Sequence, residues 1–293
     1  MVDLNWNHFG PVPDLDPEAR AFAERFYHEL KAAFPVFVAD FETKFGAWQR
    51  RWFDRETSHS ASVIECCELP EYDAVLLLGP KTIPLVVHEL CDPRNLFATV
   101  LCMSDPIPYP LLIVLTPRVW TDNHLETDPS VKVNPNDVLN YLTLNRQANL
   151  IVELNHARAQ RAQARIEEWG RQTQARRQGG ATAKGTSQAP GDSPNSDADT
   201  SSAEYAALVG MGPGIISHVM RAYAADRSMP WWKVMYQLVC EEPPPAGTAG
   251  EEEEQQYERW KDWFEHMEHH EAAEGLNPEY LRRMGMPAGS DGA

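Results

Sequence analysis

The chain is expected to be all-α, built from a helical hairpin used twice and joined by a long helix. Three observations lead there. Apolar and aromatic residues recur at three- and four-residue spacing over long stretches. One Gly-Pro punctuation appears in two similar contexts, "EYDAVLLLGPKTIPLVV" at 71–87 and "EYAALVGMGPGIISHVM" at 204–220. A third stretch opens with the helix-start signal Asn134-Pro135 and keeps its period to about Arg177.

The elements follow in order. Asp16-Pro17 supplies a cap and a proline suited to a first turn. Phe22, Phe26, Leu30 and Phe34 then share one face, and after Pro35 the stripe resumes with Phe37, Phe41, Phe45, Trp48 and Trp52, which marks it as core-facing. Residues 70–103 hold the first Gly-Pro unit. The following "DPIPYPLLIVLTPRVW" carries four prolines and cannot be a regular helix. Its "LLIVL", like "AVLLLG" upstream, also suits a buried strand, so an α/β fold is the alternative. In the long helix Val138, Leu142, Ala148, Ile151, Val152 and Leu154 are expected to pack. The later half, with Arg158, Arg161, Arg165, Arg171, Arg176 and Arg177, is expected to project into water.

Residues 178–202 contain no large apolar side chain and read as a disordered linker. A shorter break, "EEPPPAGTAGEEEE", spans 241–254. Between 241 and 274 twelve acidic residues face two basic ones, and Tyr257, Trp260, Trp263, Phe264 and Met267 keep a helical period, so an acidic amphipathic helix is expected. The expected division is an N-terminal helical domain with the first unit (1–133), the long helix (134–177), the linker (178–202), the second unit with the acidic helix (203–274) and a flexible tail (275–293).

The duplication can be traced residue by residue. Glu71 and Tyr72 align with Glu204 and Tyr205, Gly79-Pro80 with Gly212-Pro213, and Ile83 with Ile216. After a two-residue insertion Leu96-Phe97 aligns with Trp231-Trp232. Glycine closes a helix in a left-handed conformation without a Cβ clash, and the next proline cannot continue that helix. Ile83, Val86, Val87 and Leu90 then have the spacing of the return helix, with Asp92-Pro93 at its end. A phosphate-binding loop is the competing reading of "GMGPG". It fails because the third glycine is misplaced for G-x-G-x-x-G and Pro213 removes an N–H where a phosphate needs one.

The stretch "LLGPKTIPLVVHELCDP" resembles a HEAT-type helical repeat, with its glycine turn, its apolar helix beginning near a proline and its closing Asp. More closely, Trp52, Glu56, Thr57, Ser60, Ser62, Tyr72, Gly79 and Pro84 follow a pattern similar to that of short, uncharacterised microbial helical proteins. The resemblance covers about 48–103 and more weakly 203–267. It implies a helical fold and brings no activity with it. The second copy departs from the pattern with Ser217 in place of Pro84, and Glu56-Thr57 has no counterpart there.

A net charge of −17 opposes general nucleic-acid binding. No apolar run is long enough to span a membrane, and "MVDLNWNHFGPVPDLDPEAR" lacks a secretory pattern, so a cytoplasmic or nuclear location is expected. The five cysteines, Cys66, Cys67, Cys91, Cys102 and Cys240, include no CxxC pair and are expected to be reduced and inert.

The expected function is a non-catalytic scaffold holding a protein or peptide in an aromatic groove, since helical repeats offer extended concave surfaces. Its candidate binding residues are Trp231, Trp232, Leu96, Phe97, Glu56 and Thr57, and no cofactor or metal is expected. One alternative is a hydrolase, either using a hydroxyl nucleophile between Glu56 and Ser62, near His59, or metal-dependent through the histidines of "EHMEHHE", His266, His269 and His270. For these, helix capping by the hydroxyls and a solvated acidic face are the plainer accounts. Another alternative is RNA binding through the 158–177 arginine arm, which could equally meet an acidic partner, including this chain's own 251–274 helix.

Overall fold

The structure, a computed structural model, describes residues 14–53, 67, 69–102, 141–182, 200–240, 242–244 and 253–268. Its helices, in chain order, are α1 (Pro17–Ala33), α2 (Pro35–Trp52), α3 (Pro70–Leu76), α4 (Ile83–Leu90), α5 (Tyr141–Thr182), α6 (Ala203–Val209), α7 (Ile216–Ala225), α8 (Trp231–Cys240) and α9 (Glu253–His266). Short 3-10 turns occupy Gly79–Thr82 and Pro213–Ile215, and a longer 3-10 stretch runs over Pro93–Cys102. No strand occurs among the described residues, so the fold there is all-α. "AVLLLG" forms the end of α3 and its turn, while "LLIVL" lies outside the described residues.

Local chemistry explains the boundaries. Asp16 Oδ1 accepts from the Glu18 N–H at 3.2 Å, which caps α1. Pro35 has no N–H to give and starts α2, yet Phe34 N still bonds Leu30 O at 2.7 Å, so the break is one residue wide. Ser202 Oγ accepts from the Tyr205 N–H at 3.1 Å and caps α6.

The chain falls into two compact units. The first comprises residues 1–29, 39–76 and 82–158, the second residues 30–38, 77–81 and 159–293. In the first, α4 packs on the Pro93–Cys102 stretch. Its centre is aromatic: Trp48 meets Phe45, Trp52, Tyr72 and Phe97 with ring centroids 4.8–5.9 Å apart. In the second, α7 and α6 pack on α8, and α9 packs on α7 and α8. Trp169 is sealed there against Trp231 and Tyr205, at 4.8 and 6.0 Å.

The long helix departs from expectation. Asn145, Ala148, Val152 and Asn155 are buried in the first unit, and Ala159, Ala162, Ile166, Trp169 and Thr173 in the second. Their steps alternate three and four, the 3.5-residue period of a packed seam. One face of the arginine-rich half therefore packs, while Arg165, Arg171 and Arg177 remain exposed. Helix also continues through Thr182, into the span expected to be linker; residues 183–199 lie outside the described residues.

Candidate functional site

Both Gly-Pro turns carry the backbone that demands glycine: φ is 74° at Gly79 and 73° at Gly212. At Gly212 ψ is −178°, so the residue sits in the mirror-extended region and not in the left-handed helical well the sequence implied. Pro80 and Pro213 then lie in 3-10 turns that lead into α4 and α7. The two stretches diverge afterwards. Leu96 and Phe97 belong to a 3-10 stretch kinked at Asn95 (φ −105°, ψ 17°), whereas Trp231 and Trp232 open a regular α-helix.

The candidate binding residues land in the core. Leu96 and Phe97 are each 5% exposed, Trp231 4% and Trp232 8%, so none of the four lines an open groove. Glu56, Thr57, His59, Ser60 and Ser62 lie outside the described residues, as do His269 and His270. His266 is exposed, with Asp262 at ion-pair range (4.0 Å). Among the described residues no group of three or more His, Cys, Asp and Glu side chains is placed to hold a metal. Burial pushes the Cys91 and Cys240 thiols up to about 11, which leaves little thiolate at neutral pH and fits inert cysteines.

Two constellations escaped the sequence reading. The first lies in the second unit around Lys81, which is 1% exposed. Its Nζ donates to Phe264 O at 2.9 Å, to Trp263 O at 3.3 Å and to Met267 O. The ammonium also stands 4.8 Å from the Trp263 ring centre, 5.3 Å from that of Phe37 and 5.6 Å from that of Phe264. The last carbonyls of a helix have no partner inside it and carry the negative end of its dipole. Lys81 answers both needs at the end of α9, and three acceptors match its three N–H donors. Its own carbonyl is held by the Ser217 hydroxyl at the start of α7. At the other end of α9, Arg227 pairs with Glu254 and Glu258 and lies 4.2 Å over the Tyr257 ring. The expected acidic amphipathic helix is thus present over Glu253–His266, and Arg227 grips its acids Glu254 and Glu258.

The second constellation is in the first unit. Phe53, at the end of α2, is 58% exposed although its ring meets the buried Phe97 at 5.6 Å. It extends the Trp48 cluster to the surface. Beside that cluster runs a polar row in which Gln49 Nε2 donates to Asn95 Oδ1 and Asn95 Nδ2 to Glu89 Oε2, each at 2.5 Å. Two of the arm's arginines reach backbone carbonyls of their own unit: Arg165 donates to Ala207 O and Arg177 to Ser228 O.

No family model matches the chain, and neither a curated protein nor a solved structure matches it. No helix among the described residues is long and apolar enough to cross a membrane.

Proposed function

We propose that the chain is a non-catalytic interaction scaffold that binds a protein or peptide, and that its HEAT-like hairpins serve this purpose. The observation that supports the reading is Phe53, a large ring 58% exposed on top of an aromatic cluster that fixes it from below. Aromatic side chains pre-ordered by packing make strong anchors, because they add contact area at little entropic cost. The binding residues proposed are therefore Phe53 and the adjoining rim at Trp52, in place of Trp231 and Trp232. The commitment of Arg165 and Arg177 to backbone carbonyls speaks against the arm as an RNA surface.

The test is affinity purification with the wild-type chain and the Phe53→Ala variant, followed by titration of the purified partner against both. A tenfold or greater loss of affinity with an unchanged circular dichroism spectrum is expected, about 1.4 kcal/mol or more. Equal affinity for a partner would remove Phe53 from the site. Failure of either protein to retain any partner would sink the scaffold reading.

A further inference from the structure

The seat of α9 has the form of a recognition groove. Along it α9 lays Tyr257, Trp260, Trp263 and Phe264, all buried. Tyr257 meets Tyr223 at 5.1 Å, and Phe264 meets Phe34 at 4.7 Å and Phe37 at 4.5 Å. The ends are read by charge: Arg227 takes carboxylates of the first two turns, and Lys81 takes the terminal carbonyls. An amphipathic helix in an apolar groove, with ends fixed by complementary groups, is a recurring mode of peptide capture. Lys81 supplies a direction as well, because an ammonium stabilises the carboxyl end of a helix and repels the amino end.

We propose that this seat is a helix-docking groove which α9 fills from within the chain, Lys81 reading the helix's C-terminal carbonyls, and that a partner's amphipathic helix with the same aromatic spacing competes for it. Nothing in the chemistry of the seat demands that its occupant be covalently joined. Every side chain that α9 buries there is one a separate helix could bring, and Arg227 favours an acidic first turn. The partner part rests on the scaffold reading; the existence of a separable seat does not.

The test is hydrogen exchange followed by mass spectrometry on the full chain. It compares wild type, Lys81→Met and Lys81→Arg, with and without an isotopically labelled peptide of residues 253–268. A tethered helix competes at an effective concentration of order millimolar, so the peptide is added at about that level. Fragments within 256–268 are expected to exchange ahead of those within 216–239, because local opening releases α9 alone. Lys81→Met should speed the first set about tenfold and leave the second unchanged, with Lys81→Arg between. Added peptide should deprotect the chain's own α9, and a peptide with Trp260, Trp263 and Phe264 changed to Ala should not. A single common rate for both sets, in wild type or in Lys81→Met, would make α9 an inseparable part of the core and overturn the proposal. So would a Lys81→Met chain with unaltered α9 exchange, or a wild-type peptide without effect. Because the readout involves neither Phe53 nor a cellular partner, its failure is distinct from failure of the scaffold reading.

Discussion

The two Gly-Pro turns share a positive glycine φ and differ in what they do with it. Gly79 and Gly212 have the same φ within a degree, and each leads through a 3-10 turn into an apolar helix. Two residues past the glycine the first turn carries Lys81 and the second Gly214. Lys81 sends its side chain to the end of α9, while Gly214 is buried with nothing to send. Five residues past the glycine Pro84 stands against Ser217, and the Ser217 hydroxyl holds Lys81's carbonyl. Both turns use glycine's freedom at positive φ, and the neighbouring positions are where the two stretches differ in their contacts.

The largest effect that bears on this comparison is expected at the glycines. Gly212→Ala meets no atom within 4 Å of the new Cβ, so its whole cost is backbone strain, of order 1–3 kcal/mol. Gly79→Ala should lose a similar amount in urea unfolding if the turns are equivalent, and a cost several times different would break the equivalence. Ser217→Ala comes next. It leaves the Lys81 carbonyl one donor short and should cost about 1 kcal/mol by the same measurement, while a neutral result would make that hydrogen bond incidental. The last effect is on the thiols and is confined to alkaline pH. Cys91 lies in the first unit and Cys240 in the second, each with its folded pKa raised by burial from 9.0 to about 11. The folded chain then holds more thiol protons than the unfolded one between those values, so stability falls as pH rises from about 9 to 11 and is untouched below. Denaturation midpoints that stay flat across that window, or rise, would contradict the burial.

Much of the fold was legible because large side chains mark their own faces. The aromatic stripes of α1 and α2, the Gly-Pro turns and the apolar face of α9 all announce themselves by spacing. The second half of α5 did not, because its buried face is carried largely by Ala159, Ala162 and Thr173, whose small side chains leave the arginines between them conspicuous. Only Ile166 and Trp169 hinted at the seam. The candidate site was far less legible. Trp231 and Trp232 drew attention by size, yet a large aromatic is what a core uses first. Lys81 gave no sign, since a lysine after a turn reads as solvated, and its acceptors lie more than 180 residues away. Sequence spacing reports neighbours along a helix, and a cap contributed from so far off has no period to detect.

The committed state of Lys81 has a consequence for chemical labelling. An ammonium whose three protons are all engaged, and which is 1% exposed, offers an acylating reagent neither a lone pair nor a path of approach. The side chain should stay silent in a mild amine footprint of the native chain and become reactive only when the end of α9 lifts away. Lys81 is thus a built-in reporter: a single mass increment at that residue would record how often the helix leaves its seat.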